Sequence, residues 1–273
     1  MNKLDFDLIK MKHTHTIKGF KNTRVFWLKV CSTFFYFPSL WALIIKDKEV
    51  DSLLDGTYKE SLLRRILRHM FWFWPRLTQE LPWIYSGHGL PKDVQAFSEI
   101  PSHHRSALDL FSKLVGDKDA PILDLGCNMG RHLNFLYDRG HTSLYGVDIM
   151  KKAFVAFQER FPKTYDQCTL DHNIFQRYLT RHPDRSFSGV YTFGATVEYN
   201  HPSFALVREV CRVSNDLVMF VINENGGGYT RFWTYEFNRS GFDLIFAIRP
   251  LVDASNCVDD TEVVTSLLVY RRK

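Results

Sequence analysis

The feature that most restricts the fold of this chain is a regular alternation of short apolar runs and amphipathic stretches after about residue 105. Seven apolar runs have the length and composition of strands: Pro121–Leu125, Ser143–Val147, Gln167–Leu170, Gly189–Phe193, Leu217–Ile222, Phe242–Ile248 and Ser266–Tyr270. Stretches with helical spacing lie between most of them: Met129–Arg139, Lys151–Phe161, Ile174–Arg181, Ser203–Val213 and Tyr229–Ser240. This alternation predicts an α/β fold in which a mostly parallel sheet carries helices on both faces. The polar segment 250–262 suits a hairpin, which predicts one antiparallel C-terminal strand.

The first strand runs into the segment Leu-Asp-Leu-Gly-Cys-Asn-Met-Gly-Arg-His-Leu, which ends at Leu133. Gly126 permits a sharp turn, and Gly130 permits the next helix to pack closely. The start of that helix offers unpaired N–H groups to an acceptor on a ligand. Asp124 ends the strand, where its carboxylate would repel a diphosphate but can pair with the ammonium group of an amino acid. The segment therefore indicates a site for a ligand that carries an amino acid.

Two further acids follow at the ends of the next two strands. Asp148 comes 24 residues after Asp124, at the end of Leu-Tyr-Gly-Val-Asp. In doubly wound nucleotide-binding folds, an acid about 20 residues further on accepts the ribose hydroxyls. Asp171 ends the third strand in Thr-Leu-Asp-His. Asp124 and Asp148 together indicate a nucleoside-containing ligand along the carboxyl edge of the sheet.

The segment Asp124-Leu-Gly126-Cys-Asn128-Met-Gly130 resembles the first motif of class I methyltransferases, which have a Rossmann-like sheet. The resemblance covers about residues 82–273 and departs at Asn128, which stands where the family usually has glycine. It implies S-adenosylmethionine as the cofactor, with the ribose on Asp148 and the adenine on Ile149 and Asp171. A helix cap after residue 173 is the alternative role of Asp171. The cofactor-binding residues that the resemblance implies are Asp124, Gly126, Cys127, Asn128, Gly130, Asp148, Ile149, Asp171, His172, Phe193, Gly194 and Ala195.

The segment after the fourth strand, residues 194–202, resembles the family's turn that contains Leu-Glu-His. His201 is the first candidate for a general base and Glu198 the second, if the acceptor must lose a proton. A structural histidine at the start of the next helix is the alternative. The candidates for the acceptor pocket are Tyr199, Glu224, Tyr229 and Arg231, of which the last three flank a glycine-rich segment that could equally be a plain connection. Tyr85 and Arg105 are candidates to cover the cofactor.

The acceptor is bounded by absent motifs and by charge. Enzymes that methylate amino groups of DNA carry an Asp/Asn-Pro-Pro-aromatic run, and enzymes that methylate cytosine C5 carry a Pro-Cys pair. Neither motif occurs in this sequence. Residues 81–273 hold 21 Lys/Arg against 22 Asp/Glu, and such a near-neutral body argues against nucleic acid as the acceptor. A small molecule, a sugar or glycan, or a lipid-linked acceptor remains. The Asn-containing first motif with Tyr-Gly-Val-Asp resembles methylases associated with surface-sugar biosynthesis, which implies a sugar or glycan acceptor.

Residues 1–80 form a predicted extension that precedes the catalytic domain at 81–273, with 14 Lys/Arg against 8 Asp/Glu. The spacing predicts a basic amphipathic helix over Thr57–Trp74 with a capping box at Thr57 and Glu60. Its arginines could meet anionic lipid headgroups, or the helix could be a lid that packs on the domain. A spanning helix over Val25–Ile45 is a third interpretation, which the basic residues on both flanks disfavour.

The five cysteines are widely spaced without a CxxC pair, which indicates a reducing compartment and hence the cytoplasm, with possible peripheral contact at the inner membrane face. No metal site is predicted, because His103 and His104 are adjacent on a helix and point apart. Two other functions stay open. One is a nicotinamide-dependent oxidoreductase, which would need Gly-x-Gly-x-x-Gly. The other is a degenerate methyltransferase domain that acts as a membrane-associated scaffold. The oligomeric state is not indicated.

Overall fold

The computed structural model describes residues 41, 43–71, 74, 77, 99–194, 197–198, 200–201, 203–223, 233–249 and 265–273. These residues contain one seven-stranded sheet in the order β3-β2-β1-β4-β5-β7-β6. β7 runs antiparallel to both β5 and β6, whereas the other neighbouring strands are parallel. The predicted fold class and its single antiparallel strand are confirmed. The strands are β1 Ile122–Leu125, β2 Leu144–Asp148, β3 Thr169–His172, β4 Phe187–Phe193, β5 Ser214–Asn223, β6 Phe242–Ile248 and β7 Thr265–Arg272.

Nine helices surround this sheet in the described part of the chain. They are α1 Asp47–Leu54, α2 Leu62–Met70, α3 Ser102–Val115, α4 Arg131–Tyr137, α5 Lys151–Arg160, α6 Pro162–Gln167, α7 Phe175–Arg181, α8 Leu206–Val213 and α9 Trp233–Arg239. The sequence pattern did not predict α1 or α6. Because α6 begins with Pro162 at its first turn and extends to Gln167, the predicted start of β3 at Gln167 was wrong.

Helices cover both faces of the sheet, and β5 shows how its sequence divides between them. Leu217, Met219 and Val221 belong to the apolar cluster that includes residues of α3, α4 and α5. The intervening residues Val218, Phe220 and Ile222 belong to the opposite cluster, which includes residues of α7, α8 and α9. Successive strand side chains point to opposite faces, so a strand buried on both sides reads as a continuous apolar run.

The described part of the N-terminal extension packs on the domain. Trp41, Val50 and Leu53 are buried in the same cluster as residues of α7, α8 and α9, and the Trp41 ring lies 5.9 Å from that of Phe204. Two ion pairs add to this contact, from Arg177 to Asp51 at 2.5 Å and from Arg181 to Asp47 at 3.0 Å. Residues 41–54 therefore share a core with the sheet, and a domain boundary near residue 80 stays a prediction.

The predicted capping box of the basic helix was wrong. The helix begins at Leu62, and its N-cap is Ser61, whose hydroxyl accepts the Arg64 N–H at 3.3 Å. Glu60 instead forms an ion pair with Arg68 at 3.0 Å. The helix ends at Met70, before Pro75.

None of the helices within the described residues is long and apolar enough to cross a membrane. Most of the apolar segment Val25–Ile45 lies outside those residues.

Gly130 offers a test of how tightly α4 packs. Its φ is +72°, and a Cβ atom there would lie 2.2 Å from the Phe157 ring. Gly140 has a similar φ of +84° but open space around it. We expect Gly130→Ala to lower the free energy of unfolding by about 1–3 kcal/mol more than Gly140→Ala, because only the first adds overpacking to backbone strain. Urea unfolding of both variants measures the difference, and equal losses would contradict the close contact.

Candidate functional site

In the loop between β1 and α4, three residues have a left-handed backbone conformation. Gly126, Asn128 and Gly130 have φ values of +83°, +46° and +72°. Asparagine is among the few residues other than glycine that adopt this region readily, which explains how Asn128 replaces a glycine. Its backbone N–H donates to Asp148 at 2.9 Å, and that of Gly126 donates to the Val147 carbonyl at 2.9 Å. The loop is thus held against the end of β2.

Asp124 is the central residue of the site and is only 1% exposed. It lies on β1 in the middle of the sheet, in register with Gly146 on β2 and Tyr191 on β4. The Tyr191 hydroxyl and the Arg131 guanidinium lie near Asp124, but neither carboxylate oxygen has a hydrogen bond of normal geometry among the described residues. Burial raises the pKa of Asp124 to about 8, against the opposing effects of the Tyr191 hydroxyl and the Arg131 guanidinium. A buried carboxylate without a partner is costly, and a bound cation would remove that cost.

Asp148 joins the two loops that follow β1 and β2. Its Oδ2 accepts the Asn128 N–H and its Oδ1 accepts the Met150 N–H, both at 2.9 Å. Burial raises the pKa of this carboxyl group, while the backbone N–H groups act against the rise. Each oxygen keeps a second lone pair that can accept a further hydrogen bond. The side chain therefore fixes the loops and can still bind a hydroxyl group.

The end of β3 places the next predicted residues beside Asp148. His172 is in register with Asp148, and its Nε2 lies 2.9 Å from the Ile149 carbonyl, to which it can donate. Asp171 is half-buried and receives only long hydrogen bonds of 3.3 and 3.4 Å from Asn173. The alternative role of Asp171 as a helix cap was wrong, because α7 begins after Ile174 without a side-chain cap.

The side chain of Cys127 lies beneath the loop, and its predicted contact with the cofactor stays a prediction. Its side chain is buried in the cluster of α3, α4 and α5, and a Cβ at Gly146 would lie 2.8 Å from its sulfur. Burial also raises the pKa of this thiol well above its ordinary value, which keeps it protonated. Only the backbone of Cys127 can face a ligand.

A pair of histidines next to Phe193 was not predicted as part of the site. Nδ1 of His104 on α3 lies 3.3 Å from Nε2 of His132 on α4, and the two rings lie 4.6 and 4.3 Å from the Phe193 ring. Burial lowers the pKa of His104 to about 3 and lowers that of His132 strongly, so both rings are neutral at pH 7. Arg131 is the first residue of α4, and its positive charge lowers the pKa of both histidines and of Asp124. No periodicity signals this cluster, because the two helices meet only in the fold.

No group of three or more potential ligand residues in the described part of the chain could hold a metal ion.

The two candidate bases lie in the turn between β4 and α8. Glu198 is buried and accepts the backbone N–H of Asn223 at the end of β5. Burial raises its pKa to about 7. His201 is buried as well, and its Nδ1 accepts the Ser203 N–H at 3.0 Å and lies 2.7 Å from the Ser203 hydroxyl. His201 thus stabilises the turn before α8, and the catalytic role of either residue stays a prediction.

The remaining predicted site residues are less fully described. Gly194 directly follows β4 with a φ of +94° and open space around it. Arg105 is exposed, and its Nε donates to the Ile100 carbonyl at 2.9 Å. Ala195, Tyr199, Glu224, Tyr229, Arg231 and Tyr85 lie outside the described residues.

Comparisons with known proteins give one family model and a set of similar solved structures. Residues 122–216 match a family model described as "Methyltransferase domain". Among solved structures, the chain is similar to magnesium protoporphyrin IX methyltransferase from Synechocystis with bound S-adenosylhomocysteine, at 12% identity and a TM-score of 0.51 over 70% of this chain and 97% of that one. It is also similar to 1,6-didemethyltoxoflavin-N1-methyltransferase from Burkholderia thailandensis, at 13% identity and a TM-score of 0.50 over 72% and 86% of the two chains. At such identities these structures show the fold alone. No curated protein matches the sequence.

The raised pKa of Asp124 predicts how the stability of the protein without ligand depends on pH. The carboxyl pKa is about 8 in the folded state and near 4 when unfolded, so the folded state loses stability as the pH rises between these values. We expect Asp124→Asn, which removes the charge, to raise the Tm relative to wild type by an amount that grows from pH 5 to pH 9. Thermal unfolding across this range measures it.

Asp166→Asn on α6, where the carboxylate is exposed, is the matched control. A Tm difference for Asp124→Asn that does not change with pH, or one that shrinks as the pH rises, would contradict an uncompensated charge at this position.

Proposed function

We propose that this chain is an S-adenosylmethionine-dependent methyltransferase of the class I Rossmann-like fold and that it methylates a small-molecule, sugar or glycan, or lipid-linked acceptor. The match of residues 122–216 to a methyltransferase family model supports this proposal. The observation that carries the proposal is the buried Asp124 carboxylate without a partner at the carboxyl end of β1.

The charge of the Asp124 carboxylate is complementary to S-adenosylmethionine. This molecule carries an ammonium group and no phosphate, so its amino-acid end complements the charge of Asp124. A nicotinamide dinucleotide would bring a diphosphate to the loop between β1 and α4, close to the same carboxylate. An ionised Asp124 would repel the diphosphate, and a protonated Asp124 would gain no cationic partner from it, which disfavours the oxidoreductase alternative.

Each strand end would hold a different part of the cofactor. Asp148 would accept hydrogen bonds from the ribose hydroxyls through the lone pairs that are not used by the backbone N–H groups. Ile149 and Asp171 would flank the adenine. His172 would keep Ile149 in place through its bond to the Ile149 carbonyl. Phe193, Gly194 and Ala195 would border the methyl group. When bound, the cofactor supplies an electrophilic methyl group, and the protein contributes by positioning the acceptor in line with it.

Glu198 is the better candidate for a general base, whereas the sequence alone favoured His201. A base works best when its pKa is close to the working pH, and burial brings the pKa of Glu198 to about 7. His201 already uses Nδ1 as an acceptor within its own turn. Glu198 would take a proton from the acceptor hydroxyl or amine as the methyl group is transferred.

The acceptor class rests on the sequence. Tyr199, Glu224, Tyr229 and Arg231 are proposed to line the acceptor pocket, and the near-neutral charge of residues 81–273 disfavours nucleic acid. A cytoplasmic location is proposed, since the cysteines suit a reducing compartment. The scaffold alternative requires loss of cofactor binding, which the retained Asp124, Gly126, Gly130 and Asp148 disfavour.

Cofactor binding is the first test of the proposal. We expect S-adenosylhomocysteine to bind the wild-type protein, and Asp124→Asn to weaken the affinity by about 10- to 100-fold, because a charged hydrogen-bond partner of the ammonium is lost. Isothermal titration calorimetry measures both, with Asp166→Asn as the control that should bind like wild type. Unchanged affinity in Asp124→Asn, or tight NAD binding without S-adenosylhomocysteine binding, would overturn the proposal.

The pH dependence of turnover tests the role of Glu198. Once an acceptor is found by screening for S-adenosylhomocysteine release, we expect kcat/KM to rise with pH through an apparent pKa near 7, as Glu198 loses its proton. Glu198→Gln should lower the rate by about 10²- to 10⁴-fold and remove this rise. His201→Gln is the comparison, and a pH rise that disappears in this variant but persists in Glu198→Gln would reverse the assignment.

A further inference from the structure

Helix α2 turns its apolar side away from the protein. Leu62, Leu63, Ile66 and Met70 are 71%, 65%, 46% and 67% exposed, and none of the nine residues of α2 is buried. At about 100° per residue, these four side chains fall within one stripe about 100° wide. We call these four residues the outer face of α2. A helix that only covers a protein core would place such a stripe inward.

Ion pairs on the opposite side of α2 hold it in this orientation. Arg64 forms an ion pair with Glu49 on α1 at 2.7 Å and donates to the Ile44 carbonyl at 2.6 Å. Arg68 pairs with Glu60 at 3.0 Å. These two arginines therefore face the protein. The sequence pattern had suggested that they could meet lipid headgroups, but in this orientation they are not available to them. The polar side of the helix is the anchored side.

The anchoring extends to the catalytic domain. Glu49 lies on α1, whose residues Val50 and Leu53 are buried in the domain core. Asp51 of the same helix pairs with Arg177 on α7 at 2.5 Å. The outer face of α2 is thus carried on a helix that is fixed to the sheet, and its exposure is built into the fold.

The charges around the outer face favour an anionic partner. Of the five acids in residues 43–71, four form ion pairs with arginines, namely Asp47, Glu49, Asp51 and Glu60. The fifth, Asp55, is exposed and forms no ion pair with the described residues. The cationic side chains of Lys48, Lys59 and Arg65 are exposed, and none of them pairs with an acid in the residues that the structure describes. On α2 itself, Arg65 lies about 60° beyond the edge of the stripe that Leu62 marks.

We propose that the outer face of α2 is a membrane-binding surface that inserts into an anionic lipid bilayer. The aliphatic side chains enter the boundary between headgroups and acyl chains, and Lys59 and Arg65 contact the anionic headgroups. A second copy of the chain is a poorer occupant, because a two-fold contact through this stripe would bring Arg65 of each copy to the same interface. Membrane binding by the outer face of α2 does not depend on the proposed methyltransferase activity.

Vesicle flotation with the full chain tests this surface. We expect the wild-type protein to float with phosphatidylserine-containing phosphatidylcholine vesicles and to float less well with pure phosphatidylcholine. The double variant Leu63→Glu and Ile66→Glu should reduce the bound fraction at least about tenfold, since it places charge in the inserted stripe. Arg65→Glu should reduce it less and only on anionic vesicles. Val155→Glu, at a 53% exposed residue on α5, is the matched control that should float like wild type.

Three results would overturn the proposal. The first is no flotation of the wild-type chain on anionic vesicles. The second is undiminished flotation of the double variant, which would place the lipid contact in another segment such as residues 25–40. The third is a dimer in light scattering without vesicles that the double variant, but not Val155→Glu, converts to a monomer, which would identify a second copy as the occupant. Cofactor binding by the double variant should stay unchanged, which separates this test from that of the proposed function.

Discussion

The structure depends on one carboxylate that the protein buries without satisfying it. Asp124 lies on the interior strand β1, flanked by β2 and β4, where water does not reach its oxygens. In the free protein burial raises the pKa of this group to about 8, so Asp124 is largely protonated at pH 7 until a cation binds. A ligand with an ammonium group thus gains a charged partner in a setting of low dielectric constant, where the pairing is stronger than in water. Stability without ligand is lowered so that affinity for this ligand can be high.

The rest of the site holds this carboxylate beside a loop of fixed shape. Asp148 accepts backbone N–H groups from both neighbouring loops, and the left-handed residues Gly126, Asn128 and Gly130 set the course of the first loop. Close packing of Phe157 on Gly130 then fixes where α4 begins. These contacts place loop amides, two acids and Phe193 along one edge of the sheet before any ligand binds. Preorganisation of this kind lowers the entropy that binding must overcome.

Local features of the fold and site were predictable from the sequence, whereas features made by distant contacts were not. The strand runs, the single antiparallel strand and the acid–glycine segment are each contained in a few neighbouring residues, and periodicity is enough to find them. The pairing of His104 with His132 joins residues 28 apart on two helices and leaves no local signal. Ser61 caps α2 instead of Thr57, and Glu60, the expected partner of Thr57, pairs with Arg68. The orientation of α2 likewise depends on Glu49, which belongs to a helix that the pattern did not reveal.

Proton release on binding tests the central claim most directly. If Asp124 is protonated in the free protein at pH 7 and ionised against an ammonium group in the complex, binding of S-adenosylhomocysteine must release a proton. Calorimetric titration at pH 7 in buffers of different ionisation enthalpy counts the protons that are exchanged. The account predicts a release of about one proton per site in the wild-type protein and none in Asp124→Asn. Binding to the wild-type protein without proton release, or with proton uptake, would contradict it.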